Sequence, residues 1–290
     1  MSLPASVRSR TSRHRGFFRW TQAALYAVLI VLAVVYIFPF IIQIVTMFKT
    51  EGDAANNPLS LVPSPVSTAA LARLFAHSDF LRWAMNSAIV AIFVTAGRAV
   101  FDSMAGFALA RLHYRGRNAV FAGLIAIMAV PSVALLIPKF LVITDLGLFN
   151  TYPGMILPFL ADATGVFIMK NFFESIPVAI EESARVDGAS TFRIYWSVVL
   201  PMATPALITV MILSFQGSWN ELQQIIASTN QPALATLSKG VASLVSGSLG
   251  SGTQYPLKLA AALLMTIPPA VIFFIFQKRI MNVGSGAVKE

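Results

Sequence analysis

Residues Ala23 to Phe48 read AALYAVLIVLAVVYIFPFIIQIVTMF, 26 residues without one charge. A hydrocarbon core about 30 Å thick is crossed by about 20 helical residues, so this stretch is long enough to span it. It is too long for the apolar core of a signal peptide, and it lacks a convincing small-residue cleavage site. It therefore reads as a retained anchor and first span. The whole chain has the same character. Of its 290 residues 57% are hydrophobic and 11% charged, and its mean hydropathy is +0.74. A soluble domain carries roughly twice that share of charge, so there is too little polar side chain here to cover a soluble surface.

Five more apolar stretches follow. With the first they give expected spans over 23–48, 83–110, 119–141, 152–170, 198–219 and 259–278. No ten-residue alternation of the barrel kind is present, and backbone groups in lipid must bond within their own segment, so the spans are expected to be helices. The fold class is thus an all-α membrane protein of six transmembrane helices. A basic tail covers 1–22, the membrane domain 23–281, and a short tail 282–290. Two outward segments are long. Thr50 to Arg82 contains a stretch from Ala69 to Trp83 that suits an amphipathic surface helix, and Glu221 to Tyr255, with Ser246 to Gly252, is expected to be loop-like.

The formal net charge of +9 invites a nucleic-acid reading, but the positions of the charges argue against it. With the N-terminus inside, the inner set is Arg8, Arg10, Arg13, Arg15, Arg19, Arg111, Arg115, Arg117, Lys170, Arg185, Arg193, Lys278, Arg279 and Lys289. The outer set is only Lys49, Arg73, Arg82, Lys139, Lys239 and Lys258. This asymmetry is a topology signal that puts both termini in the cytoplasm, and Arg8 to Arg19 also suit contact with anionic lipid. Cysteine is absent, which removes disulfides, thiolate metal sites and a cysteine nucleophile. His14, His77 and His113 are scattered, so no metal site is expected.

Between the fourth and fifth spans lies Glu174-Ser-Ile-Pro-Val-Ala-Ile-Glu-Glu-Ser-Ala-Arg-Val-Asp-Gly-Ala-Ser190. Pro177 suits a first helical turn, and Glu181 and Glu182 favour the positive end of the helix dipole. Asp187-Gly188 reads as a helix stop and Ser190 as the cap of a second helix. The expected result is a short helix, a sharp turn and another short helix on the inner face. Small residues at Ser183, Ala184, Gly188 and Ala189 would let another protein come close. On these grounds alone, an ordinary loop with solvated charges is the slightly better reading.

Glu182-Ser183-Ala184, Asp187-Gly188-Ala189 and Leu200-Pro201 resemble the EAA loop of binding-protein-dependent ABC importer permeases, with Ser183 replacing one alanine. Gly106-Phe-Ala-Leu-Ala-Arg111, Leu146-Gly-Leu-Phe-Asn-Thr151 with Ile156-Leu-Pro158, Phe172-Phe173 with Ile176-Pro177, and Trp219-Asn220-Glu221 are similar to the carbohydrate, maltose-type branch. The resemblance runs from about Pro39 to Met281. It implies the MetI-like, type I ABC importer fold in a bacterial or archaeal cell membrane. It also implies a second permease subunit, a pair of ATPase subunits and an extracytoplasmic solute-binding protein as partners. Glu181, Glu182, Ser183, Ala184, Asp187, Gly188 and Ala189 would then form the coupling loop that docks on an ATPase, with Glu182, Ala184 and Gly188 at the interface. The chain contains no G-x-x-x-x-G-K-[ST], so ATP and Mg belong on the partner and this subunit is not itself an enzyme. A secondary transporter or channel is the alternative class, and a membrane-embedded enzyme a third.

Charges inside the spans are weighed separately, since each costs roughly 2.5–3.5 kcal/mol at mid-helix on insertion scales. Arg98 and Asp102 are four residues apart, and are expected to neutralise each other as a structural pair. Asp162 either lines the pathway or meets a polar residue on another helix. Gln216, Trp219, Asn220 and Glu221 cluster at the outer end of the fifth span and are, with Asp162, the candidates for the solute pathway. Trp219 as an interfacial belt residue is the competing reading, and Gln223 and Gln224 are expected to be hydrated loop. Pro131, Pro138, Pro201, Pro205, Pro268 and Pro269 mark expected bends.

Overall fold

The computed structural model describes residues 13–245 and 254–286, and every regular element among them is helical. The chain divides into two compact units, one of residues 1–71 with 253–263 and one of 72–252 with 264–290. The Ser246 to Gly252 stretch expected to be a loop lies outside the described residues.

In the first unit, α1 (Arg13–Thr46) carries the first candidate span, Gln22–Thr46, with Pro39 inside it. A turn leads to α2 (Glu51–Asn56), capped by Thr50, whose Oγ1 accepts from Asp53 N–H at 3.2 Å. Asp53 organises the segment that follows. Its carboxylate accepts the Ser64 N–H at 3.0 Å and the Asn57 amide at 3.3 Å. Lys49 is buried and donates to the Asn57 carbonyl at 2.7 Å. Residues 50–67 are therefore folded back on themselves, and the Ser67 N–H reaches the Phe48 carbonyl at 2.7 Å.

The second unit is built on one long unbroken helix. Helix α3 (Ala69–His77) realises most of the expected amphipathic stretch and leads into α4 (Phe80–Arg111). The third expected span is α5 (Arg117–Met128) and, after a 3-10 turn, α6 (Leu136–Asp145), which meet at 104°. The fourth is α7 (Tyr152–Ile156), a 3-10 turn over Leu157–Phe159 and α8 (Ala163–Ser175), bent by 44°. Then come α9 (Val178–Val186), α10 (Thr191–Ile194), a π-helical turn over Tyr195–Val199, α11 (Leu200–Met202) and α12 (Thr204–Asn220). The segment Thr191–Met202 and α12 meet at 80°.

Among the described residues three helices are individually long and apolar enough to cross a bilayer, and there are up to six spans if each bent pair is one. The bends expected at Pro131, Pro201 and Pro205 coincide with the first and third breaks, whereas Pro138 lies inside α6 and Pro268 and Pro269 inside the last helix, Tyr255–Gly286, where the helix continues. Pro131 sits in the first break, Pro158 just before the second, and Pro201 and Pro205 flank the third. Proline lacks the N–H that would continue the ladder, so the helix turns there.

The segment after α12, expected to be loop-like, is not so in its described part. It forms α13 (Gln223–Ser228), a 3-10 turn over Pro232–Leu234 and α14 (Leu237–Val245). Asn150, at a positive φ of 62°, binds it: its N–H donates to Ser228 O at 3.0 Å, and its Oδ1 accepts from Thr229 Oγ1 at 2.9 Å. The expectation for Gln224 is corrected too, since it is buried. The final helix, α15 (Tyr255–Gly286), exceeds the expected 259–278 at both ends.

Helix α4 packs along both α8 and α12. Gly106 makes the first contact possible, because a Cβ there would lie 2.7 Å from Met169 Cβ and 2.9 Å from Lys170 N. Gly106→Leu is expected to overpack this seam, costing about 1–3 kcal/mol and lowering the thermal midpoint of the purified protein in detergent.

In the polar segment of the first unit, the Ser64 N–H holds the Asp53 carboxyl below its usual value against the opposing effect of burial. A depressed folded pKa means that the stabilisation is complete above the unfolded value of about 3.9 and is lost as pH falls through the folded one. Protection of the Ser64 amide, corrected for intrinsic exchange, is expected to be constant from about pH 7 to 5 and to collapse in stronger acid. Asp53→Ala is expected to abolish it throughout.

Candidate functional site: the loop helix and the broken fourth span

Helix α9 is set by its ends. Pro177, at φ −59° and ψ 130°, introduces it with Glu181 in its first turn. At the other end Gly188 has φ +80°; its N–H bonds to Arg185 O at 3.0 Å and the Ala189 N–H to Ala184 O at 2.9 Å. This is the paired bonding of a Schellman stop, and a left-handed residue is what it requires. Ser190 then caps α10 as expected, its Oγ accepting from Arg193 N–H at 3.3 Å.

The inner face of the short helix joins an apolar cluster. Ile180, Ala184 and Ala189 pack against Phe107 and Ala110 of α4, Met169 and Phe173 of α8, and Ile194, Tyr195 and Val199 beyond the turn. Its outer face is a stripe at i, i+4 spacing: Val178, Glu182 and Val186, all exposed, with Ser183, Asp187 and Gly188 beside it. Val186 is 88% exposed, and the apolar Phe192 and Trp196 follow at 66% and 55%. The sequence-based set is therefore divided. Glu182, Ser183, Asp187 and Gly188 face out. Ala184, expected at an interface, is partly buried against the protein's own apolar cluster, as is Ala189.

Glu181 also points inward. Its Oε1 lies 2.6 Å from Arg111 Nε, with both side chains at least nine-tenths buried. The same guanidinium donates to Ile176 O at 2.5 Å. Sequence reasoning counted Arg111 only as a topology charge closing the second span. The sequence offered one hint of this role: an arginine terminating an apolar helix opposite an acid-rich loop.

Deeper in the unit, the break between the two halves of the fourth span leaves main-chain groups free. Arg98 Nε donates to Phe159 O at 2.7 Å, and Asp102 Oδ1 accepts the Asp162 N–H at 2.9 Å. Asp162 in turn caps α8, its Oδ2 accepting from Gly165 N–H at 3.3 Å. The expected Arg98–Asp102 pair is thus corrected. The cation goes to the carbonyl end of the first half and the carboxylate to the N–H end of the second, each matching the local helix dipole. Asp102 is fully buried, and a Cβ at Gly165 would collide with its carboxylate.

Over residues 103–282 the chain matches the family described as "Binding-protein-dependent transport system inner membrane component". The chain belongs to that family. Among its relatives, the arabinooligosaccharides transport system permease protein AraQ of Bacillus subtilis is 29% identical over 96% of this chain and 99% of its own length. The sulfoquinovosyl glycerol transport system permease protein SmoH of Agrobacterium fabrum is 31% identical over 85% and 86%. A chain of a bacterial ABC transporter involved in the import of the acidic polysaccharide alginate superposes with a TM-score of 0.77 at 24% identity, over 94% of this chain and 99% of that one. The fold is therefore that of an ABC importer permease.

The C-terminal end of α12 holds the remaining candidates of this permease. Trp219 is buried, stacks on Phe215 at 5.5 Å and donates Nε1–H to Met265 O at 3.0 Å. Pro269 lies four residues beyond Met265 and has no N–H to offer, so the indole takes the place of a missing ladder bond. The belt reading of Trp219 is thereby corrected to a packing role. Glu221 caps α13 through Gln224 N–H at 2.9 Å. Asn220 is exposed and Gln216 half-buried, and the Asn220 amide donates to Gln216 O at 2.9 Å.

Asp102→Ala removes the acceptor for a buried main-chain donor, and is expected to cost about 1–3 kcal/mol in thermal unfolding. Asp102→Asn retains an accepting oxygen and is expected to lose less than half as much.

Proposed function

We propose that this permease is one of two membrane subunits of an ATP-driven importer, with α9 as the helix that seats on an ATPase subunit. The carrying observation is the division of α9 into a face fastened inside and a face left open. Ile180, Glu181 and Ala184 are taken up by the protein itself, while Val178, Glu182 and Val186 present an apolar stripe with one acid at its centre. A partner groove with apolar walls and a basic residue opposite Glu182 complements it. The charge distribution along the sequence supports placing this loop and both termini on the cytoplasmic side of a bacterial or archaeal cell membrane. ATP and Mg would be held by the partner.

The solute class we infer is a carbohydrate or a sugar- or glycerol-derived anion, delivered by an extracytoplasmic binding protein. The support is chemical consistency among the relatives, whose names refer to arabinooligosaccharides and sulfoquinovosyl glycerol. With Asp162, Trp219 and Glu221 engaged in capping and packing, Gln216 and Asn220 are the residues we propose for the solute pathway. Both carry amides suited to hydroxyl groups.

Purification with the co-assembling subunits, followed by a screen of sugars and polyols for binding-protein-dependent ATP hydrolysis, tests the assignment. Stimulation by one member of the panel is expected. Uptake driven by an ion gradient with no ATPase partner would instead establish a secondary transporter. Gly188→Arg puts a long cation at a left-handed residue with open space around it, and is expected to abolish ATPase co-purification while membrane insertion stays intact. Retention of the ATPase by both Gly188→Arg and Glu182→Ala would refute docking on α9.

A further inference from the structure

Helix α9 is joined to the rest of the chain at each end by a turn, at Ile176-Pro177 and at Asp187–Ser190. Turns position a helix poorly, because a few dihedral changes swing it. The side-chain fastening goes elsewhere, to α4. The single planar guanidinium of Arg111, the last residue of α4, holds both the entry turn through Ile176 O and the first turn of α9 through Glu181. The hydrogen bond to Ile176 O fixes the guanidinium, and its close ion pair with Glu181, which lacks hydrogen-bond alignment, holds the first turn of α9 against the end of α4. Phe107 and Ala110 of α4 support the same place from the apolar side.

Helix α4 is also the element that grips the breaks. Asp102, nine residues or about 13.5 Å before Arg111 along the helix, accepts the Asp162 N–H at the broken fourth span. Its neighbour Ser103 shares a buried hydrogen bond of 2.7 Å with the Tyr195 hydroxyl at the start of the π-helical turn. These points lie on one uninterrupted helix of 32 residues.

We propose that Arg111 and Glu181 are positioning residues that lock α9 and α4 into one lever, through which movement of the loop helix reaches the break at residues 160–162. The pair transmits displacement. It touches neither solute nor nucleotide, and the open stripe of α9 does not contain it. The proposal rests on the importer reading.

The test uses the complete complex in liposomes, with binding protein and a stimulating solute. The chain has no cysteine, so Arg185→Cys, exposed on α9 outside the open stripe, and His113→Cys can be spin-labelled to report the distance between α9 and the end of α4. With the pair intact, that distance is expected to be the same in nucleotide-free and ATP-trapped states. In Glu181→Gln it is expected to broaden and change with nucleotide. Solute imported per ATP hydrolysed is expected to fall about tenfold, the size of a typical coupling between sites, while ATP hydrolysis persists. Arg111→Met with Glu181→Leu replaces the buried charges by an apolar contact that restores assembly, and is expected to leave import uncoupled. Wild-type import per ATP in Glu181→Gln, or its recovery in the apolar double variant, would overturn the lever. Absence of solute-dependent ATP hydrolysis in the wild-type complex would instead defeat the importer reading and the lever with it.

Discussion

A main-chain N–H or C=O released by a broken helix has no water to bond inside a membrane, and the second unit of this permease is organised around that constraint. Three of its spans are bent pairs. Helix α4 is the unbroken member beside them, and several of its polar side chains bond main-chain groups of its neighbours. Asn86 donates to Ala233 O and Ala235 O at 2.9 and 2.8 Å, and Ser87 accepts the Leu237 N–H at 2.8 Å. Arg98 and Asp102 serve the two sides of the break in the fourth span, and Arg111 serves the turn into α9. Trp219 does the same for the carbonyl that Pro269 leaves open.

This arrangement explains why a chain with so little charge tolerates Arg98 and Asp102 in a span. A charge-assisted bond to a main-chain group at a helix terminus recovers part of the desolvation cost, and it orders two half-helices at once. A pair closed on itself within one helix would have satisfied the charges but left the break at residues 160–162 unsupported. The four-residue spacing that suggested such a pair instead lets the two side chains straddle the break.

The loop helix shows the same economy. One face is consumed by the protein's own apolar cluster and by Arg111, and the other is left exposed. An isolated nine-residue helix is marginal in water, since nucleation is unfavourable and few ladder bonds offset it. The Schellman stop at Gly188 and the buried Glu181 keep α9 formed while its outer stripe stays free for a partner. Rigid presentation lowers the ordering cost of docking.

The sequence by itself determined the class of the fold, because uncharged stretches of sufficient length can satisfy their backbone in lipid only as helices. It also determined the ends of α9, because Pro177, Gly188 and Ser190 act locally through fixed dihedrals and caps. The bends were legible as prolines, though not their angles. Only the tertiary structure decided the partners of the buried charges. Arg98 and Phe159, Asp102 and Asp162, and Arg111 and Glu181 are separated by about sixty residues or more, and no local periodicity encodes which main-chain group a side chain will meet. The same limit governed Ala184 and Trp219. A small or aromatic residue can serve an interface or a core equally well, and the packing of neighbouring helices alone selects between them.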